Sequence, residues 1–141
     1  MNRNIQTIFC DDIRHEIEGK ISYIGVYNGT LFLPEFPATL PKLCLSITAL
    51  TSPKQPFLKL KLRVLHDDTE IFTGELDENQ LSEITGDSSA NGADDWLSLH
   101  SFVVFSPFSI ETSGKIRVIV ETEEGDLLGQ CLKIEAIHSN G

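Results

Sequence analysis

The stretch FLKLKLRVL, residues 57–65, shows which fold class the sequence favours. Apolar and cationic side chains alternate along it, with Leu58, Leu60, Leu62 and Val64 set between Lys59, Lys61 and Arg63. Because successive side chains of a β-strand point to opposite faces of the sheet, this pattern predicts a half-buried strand. Eight further strands are predicted by the same criteria, at about 5–16, 21–27, 30–33, 43–50, 69–75, 97–105, 115–122 and 127–137.

These strands are short and are separated by turn-forming pairs such as Asn28-Gly29 and Ser113-Gly114. Such spacing predicts an all-β domain, a two-sheet antiparallel β-sandwich of roughly eight or nine strands, immunoglobulin-like or C2-like. One short helix is expected near residues 78–85, since Asp77 and Gln80 have the spacing of a capping box. We expect residues 1–141 to form a single domain, in which 34–41 is an extended crossover, 86–95 is a mobile loop and Trp96 re-enters the core.

The composition is that of a globular protein with a strong acidic excess. Twenty-one acidic residues against eleven basic ones give a net charge of −10, which argues against bulk nucleic-acid binding and against binding to anionic membranes. No apolar run is long enough to span a membrane, and residues 1–7 contain no signal-like segment. The three cysteines, Cys10, Cys44 and Cys131, are far apart and lie in strand patterns, so we expect buried, inert thiols in a reduced, cytoplasmic protein without a cofactor.

The segment CDDIRHE, residues 10–16, is dense in side chains of the kind that catalyse reactions or bind metals. If Glu18-Gly19 is a two-residue hairpin turn, one face carries Phe9, Asp11 and Ile13 opposite Asn28, Val26 and Ile24, and that face points inward. On the other face Gly25 then lies opposite Asp12. There Asp12 and Arg14 are close enough for an ion pair, with the guanidinium able to lie on Tyr23. This group is either a structural salt bridge or part of a binding site.

A resemblance supports a β-rich domain. The strings CDDIRHEIEGKISYIGVY, from residue 10, and FPATLPKL, from residue 36, resemble the N-terminal signature of a family of small proteins of unknown function from bacteria and their phages. The similarity continues more weakly through PFLKLKLRV to SGKIRVIVE. It implies a single β-rich domain and a microbial or viral source, and it assigns no catalytic residue.

Metal binding and catalysis are the first functions to weigh. Strand alternation places Cys10, Asp12 and Glu16 on one face and Asp11 and His15 on the other, which disperses the possible ligands. Calcium is an alternative, because aspartates occupy the predicted turns at 67–68, 87, 94–95 and 126, although aspartate is common in turns for structural reasons. The four histidines are scattered, with no nucleophile elbow or phosphate-binding loop. We therefore predict no catalytic or metal-binding residues.

The cations of residues 59–63 form a stripe in an otherwise acidic chain, and Lys115 and Arg117 repeat the pattern on a later strand. They either pair with Glu70, Glu75 or Glu121 across the strands or bind a small anion. The candidate ligand-binding residues are therefore Asp12, Arg14, Tyr23, Tyr27, Lys59, Lys61 and Arg63.

The leading hypothesis is a non-enzymatic binding module from a bacterium or phage, and we expect it to form a homo-oligomer. Such a module recognises a protein or a small ligand through the N-terminal hairpin face and the loops. The first alternative is a phage protein that sequesters an anionic nucleotide signal with the cationic stripe and Tyr23 or Tyr27. The second is a metal-dependent hydrolase.

Overall fold

The computed structural model describes residues 3–82 and 96–137, and the chain there is almost entirely β-structure. Twelve strands follow one another: β1 (Asn4–His15), β2 (Ile21–Val26), β3 (Thr30–Leu33), β4 (Ala38–Leu40), β5 (Leu43–Thr51), β6 (Leu60–His66), β7 (Thr69–Leu76), β8 (Leu97–Phe105), β9 (Phe108–Ile110), β10 (Gly114–Thr122), β11 (Gly125–Leu128) and β12 (Leu132–Ala136). A single 3-10 turn, Ile17–Gly19, joins β1 to β2, and residues 78–82 are helical.

Two large sheets form the sandwich. The first has the order β2-β1-β5-β8, and the second has the order β3-β12-β10-β6-β7, with β11 also paired to β10. A two-stranded ribbon of β4 and β9 completes the described part of the chain. The predicted all-β sandwich is therefore confirmed.

Details of the strand prediction need correction. The described residues contain twelve strands rather than eight or nine, partly because 127–137 is divided into β11 and β12 and the proline-rich 34–41 contains β4. Pairing is not purely antiparallel either, since β3 and β12 run parallel. The connection of 98 residues between those two strands in the chain lets them align in the same direction.

Buried apolar side chains from both sheets form one core. The largest contributions come from β5 on the first sheet and β10 on the second, whose residues Leu43, Leu45 and Ile47 and Ile116, Val118 and Val120 are at most 1 % exposed. These residues are two apart in each strand, as expected for side chains on one face of a sheet. The alternation seen in the sequence thus defines the core of the sandwich.

The predicted capping box is present at the start of the helix. The Gln80 N–H donates to Asp77 Oδ1 at 2.8 Å, and the Asp77 N–H donates to Gln80 Oε1 at 3.0 Å. Leu81 is buried in the core. Residues 83–85 of the predicted helix and the predicted mobile loop 86–95 lie outside the described residues. Trp96 is 41 % exposed, so the prediction that it re-enters the core is wrong.

The N-terminal hairpin has a different register from the one expected. Ile13 lies opposite Tyr23 and Asp12 opposite Ile24, one residue away from the register of a two-residue turn at Glu18-Gly19. The connection is longer, because the Glu16 N–H donates to the Lys20 carbonyl at 2.7 Å across three intervening residues. The one-residue shift moves Gly25 from its predicted place opposite Asp12 to a place beside Asp11.

At that point Gly25 has φ +67° and carries no side chain, and the Asp11 carboxylate lies in the space left free. A Cβ at position 25 would be 2.8 Å from Asp11 Cγ. The left-handed backbone of Gly25 interrupts the strict alternation of faces along the hairpin. The predicted faces of this hairpin are wrong because the longer turn shifts every cross-strand pair by one residue, on both sides of Gly25.

Beyond the interruption, the hairpin covers the outer face of the first sheet. Tyr23 Oη is 3.0 Å from Ser46 Oγ, and the ring of His15 makes an edge contact with Phe102 at 5.1 Å between centroids. Ser46 and Phe102 are cross-strand partners that alternate with core residues of β5 and β8. Contact with the hairpin explains why Cys44 and Ser46 are buried although they point away from the core.

We expect Gly25→Ala to destabilise the protein more than Gly29→Ala. Both glycines have positive φ, which costs an alanine about 1–2 kcal/mol, but only Gly25 adjoins the Asp11 carboxylate, since no atom lies within 4 Å of a Cβ at Gly29. Displacing that charged hydrogen-bond acceptor should add about 1.5–3 kcal/mol to the loss for Gly25→Ala. Urea unfolding measures both losses.

A double variant, Asp11→Ala with Gly25→Ala, is the control for the steric clash between the new Cβ at position 25 and the Asp11 carboxylate. Because the clash is removed, the double variant should lose less free energy of unfolding than the sum of the losses of the two single variants. Equal losses for Gly25→Ala and Gly29→Ala would contradict the described position of Asp11.

Candidate functional site

The polar residues of the opening strand do not converge on one point. Asp11 accepts a hydrogen bond from the Tyr27 hydroxyl at 2.5 Å, Asp12 pairs with Lys42, and His15 contacts the Phe102 ring. Among residues 3–82 and 96–137, no group of three or more His, Cys, Asp or Glu side chains is placed to hold a metal ion. This segment therefore supplies separate contacts that fix the hairpin.

Asp12 has a different partner from the one expected. Its Oδ1 accepts a hydrogen bond from Lys42 Nζ at 2.6 Å, whereas Arg14 forms no ion pair with any described residue. The Lys42 ammonium lowers the pKa of the Asp12 carboxyl, and the carboxylate raises the pKa of Lys42. The predicted pair with Arg14 is wrong, because Lys42, directly before β5, takes the place of Arg14 as the partner of Asp12.

Tyr27 is held by burial and by the Asp11 carboxylate. Burial is the larger cause of a raised pKa for the Tyr27 hydroxyl, and the hydrogen bond to Asp11 raises it further. The phenol therefore stays protonated and acts as a hydrogen-bond donor to a carboxylate. Tyr27 also packs against the core, and its N–H donates to the Phe9 carbonyl at 2.9 Å, so these contacts fix the chain directly after β2.

Two cysteines lie directly opposite each other in the first sheet. Cys10 of β1 pairs with Cys44 of β5, and both are fully buried. Their thiols donate to the main-chain carbonyls of Asp12 and Asp11 at 3.3 and 3.8 Å. Burial, followed by the nearby Cys44, raises the pKa of Cys10 to about 11, so this thiol is a poor nucleophile at neutral pH. Cys131, in contrast, is exposed, contrary to the expectation that all three are buried.

A pocket of about 230 Å³ opens beside the end of β2. Three segments line it, namely residues 7–9, 26–29 and 130–132, and none of them carries an ionisable side chain except Tyr27 and Cys131. The Thr7 hydroxyl donates to the Gln130 carbonyl at 3.2 Å and thereby joins β1 to the connection between β11 and β12. Val26, 56 % exposed, lies at this pocket. The arrangement offers a small uncharged recess next to an exposed apolar strand.

Lys61 and Arg63 of the cationic stripe lie on β6 of the second sheet and Lys59 directly precedes it, whereas Tyr23 lies on β2 of the first sheet. Arg63 Nε is 3.1 Å from Glu70, and Lys61 Nζ is 3.9 Å from Glu121, while Lys59 has no ion pair with any described residue. Pairing of these cations with glutamates across the strands is the alternative to anion binding that the sequence predicted. Two of the three cations are therefore already next to carboxylates.

A second hollow, of about 390 Å³, is lined by residues around the start of β10. Lys115 and Lys133 both line it and are directly opposite each other across β10 and β12. Like charges in that position destabilise a sheet unless an anion or a counter-charge is near. Asp67 and Glu135 also line the hollow, but neither of the two lysines forms an ion pair with a described residue.

A third hollow, of about 380 Å³, is bordered by a structural arginine. The Arg3 side chain is 6 % exposed and pairs with Glu123. Its guanidinium also donates to Thr51 Oγ1 at 2.9 Å and to the carbonyls of Gln55 and Pro56 at 3.1 Å. These contacts join the start of β1, the loop after β5 and the β10–β11 hairpin.

Several of these features were missed in the sequence. Neither Lys42 nor Lys133 belongs to a periodic pattern in the sequence. Each is a single cation, and the charged residue next to it in the structure, Asp12 or Lys115, is distant in the chain. The recess beside Val26 depends on the close approach of Gly129 to Thr7, where a Cβ would lie 2.6 Å from Thr7 Cγ2. A glycine inside the predicted strand 127–137 was the one available indication of such an approach.

Comparison with known proteins assigns a family but no activity. No helix in the described part of the chain is long and apolar enough to cross a membrane. No curated protein and no solved structure is significantly similar to the chain. A family model, described as a family of unknown function (DUF6941), matches residues 6–135, which include the N-terminal hairpin, most of both sheets and the recess beside Val26. The chain belongs to the DUF6941 family of unknown function.

Proposed function

We propose that the protein is a non-enzymatic binding module that recognises a protein partner through the N-terminal hairpin and the recess beside it. The observation that carries this proposal is the exposed apolar surface of β2, where Ile24 is 42 % and Val26 is 56 % exposed next to the 230 Å³ pocket. A bacterial or phage source and a cytoplasmic location belong to the same proposal. They rest on the sequence resemblance and on the cysteine content.

The size and chemistry of the recess favour a protein partner over a free cofactor. Pockets that hold small ligands are usually about 300–1,000 Å³, and this one is smaller. A recess of this volume suits one inserted side chain. The uncharged lining favours an apolar side chain, with the amides of Asn28 and Gln130 available for polar contacts. Contacts of that kind anchor interfaces whose remaining surface contributes little binding energy.

We expect a peptide selected from a displayed random library to bind the wild-type protein and to lose affinity for Val26→Lys. Burying a valine side chain contributes about 1.5–3 kcal/mol, so its replacement by a charge should weaken binding at least about tenfold. Fluorescence anisotropy with the synthetic peptide measures the dissociation constants. Chemical-shift changes in the free and bound protein should concentrate at residues 21–29 and 130–132.

Leu58→Lys is the matched control, because Leu58 is 54 % exposed and does not line the recess. It should bind the peptide as tightly as the wild type does. If the selection enriches no peptide, or if the shift changes lie on another surface, the proposed binding site is wrong.

A second candidate function is capture of a small anion, such as a nucleotide signal, at the Lys115–Lys133 hollow. The directly opposed lysines favour it, and the volume of about 390 Å³ falls in the usual range for ligand pockets. Nucleotide capture by the cationic stripe and Tyr23 has weaker support. Lys61 and Arg63 are next to carboxylates, and they lie on a different sheet from Tyr23. The metal-dependent hydrolase stays a prediction that no contact in the structure supports.

If the hollow binds nucleotides, one member of a panel of cyclic and linear nucleotides should raise the melting temperature. A nucleotide at about 100 times its dissociation constant stabilises the folded protein by about 2.7 kcal/mol. This corresponds to a rise in melting temperature of roughly 5–10 °C for a domain of this size. Lys133→Glu should abolish the shift, whereas Lys59→Glu should retain it. An unchanged melting temperature across the panel would remove this candidate.

A further inference from the structure

The two sheets end in four edge strands, and three of them carry features that discourage further strand pairing. Among the described residues these edges are β2, β3, β7 and β8. Gly25 interrupts β2, β3 has only four residues, and β7 carries two glutamates and an irregular register with β6. Short length, bulges and charges are the usual devices by which proteins protect an edge.

The fourth edge, β8, has none of these protections. It pairs with β5 through nine consecutive residues without a shift, from Leu97 opposite Thr51 to Phe105 opposite Leu43. The sequence LSLHSFVVF contains no proline, glycine, lysine, arginine or carboxylate, and His100 is its one ionisable side chain. Within the described ranges, β5 is its one strand partner. A long, regular and uncharged edge of this kind favours pairing with another strand.

The strand is complementary to itself when it is paired antiparallel. A two-fold axis at Ser101 places Leu97 opposite Phe105 and Leu99 opposite Val103, so that apolar residues of the inner face meet. On the outer face His100 lies opposite Phe102, and Ser98 lies opposite Val104. Apolar and aromatic cross-strand pairs of this type stabilise a sheet. Symmetric pairing of one patch with its own copy is also the commonest arrangement in homo-oligomers.

Charge favours the same edge. Two chains with a net charge of −10 repel each other, and carboxylates in an interface would add to that repulsion. Strand β8 keeps its own side chains free of carboxylates over its whole length, whereas β7 carries Glu70 and Glu75. The β8 edge, like the shorter edges of β2 and β3, therefore adds no carboxylate of its own to an interface between two copies.

We propose that β8 pairs antiparallel with β8 of a second copy of this chain, so that two four-stranded sheets form one continuous eight-stranded sheet. This interface lies on the opposite edge of the sheet from β2 and is independent of the proposed partner-binding site. The dimer would thus present two hairpins at the two ends of the shared sheet.

Light scattering coupled to size-exclusion chromatography tests the dimer with the full chain. The wild type should have twice the 15.7 kDa chain mass across a dilution series. Val104→Lys should be a monomer, because Val104 is 51 % exposed on β8 and a lysine charge is a recognised protection of an edge. Val26→Lys, with a similarly exposed valine on β2, should stay dimeric.

Hydrogen exchange provides a second measurement. The β8 amides that point away from β5 should exchange slowly in the wild type and quickly in Val104→Lys. A monomeric wild type would overturn the proposal, even if contacts within one chain slow the hydrogen exchange of those amides. A dimer that Val26→Lys dissociates and Val104→Lys does not would overturn it as well. Because Val104→Lys should still bind the selected peptide, failure of the dimer is distinguishable from failure of the proposed function.

Discussion

The first sheet depends on the close contact between the Asp11 carboxylate and the backbone of Gly25, which has no side chain. The carboxylate occupies the space that a Cβ at position 25 would fill and accepts a hydrogen bond from Tyr27. A glycine in the left-handed region is needed there, since any other residue would meet both backbone strain and the carboxylate. Beyond this contact, the distal half of the hairpin lies over the outer face of the first sheet, where Tyr23 is next to Ser46 and His15 contacts Phe102. Burial of Cys10, Cys44 and Ser46 follows from that position.

The sequence predicted the fold well where the two-residue period is unbroken. Strands β5, β6, β8 and β10 were expected within a few residues of their observed limits, and the Asp77–Gln80 capping box has the expected hydrogen bonds. Division of 127–137 into two strands was not predictable, because Gly129 and Cys131 do not break the apolar pattern clearly. Periodicity describes one strand at a time, and it contains no information on which distant strand will lie alongside.

The candidate site was harder to predict than the fold for the same reason. A dense run of ionisable residues at 10–16 suggested chemistry, yet Asp11, Asp12 and His15 each contact a different residue from elsewhere in the chain. Lys42 and Lys133 carry charges that matter only after the strands have paired. The two ends of the first sheet also differ in a way that alternation does not reveal. One end is interrupted by Gly25 and bordered by a recess, and the other is regular and uncharged.

The position of the hairpin over the outer face of the first sheet is the central claim, and nuclear Overhauser spectroscopy tests it most directly. We expect cross-peaks between the Tyr23 ring and the β protons of Ser46, and between the rings of His15 and Phe102. These contacts are present only if the hairpin lies over the outer face of the first sheet. Cross-peaks from the Tyr23 ring to the methyl groups of Leu45 or Ile47, on the inner face, would contradict the claim.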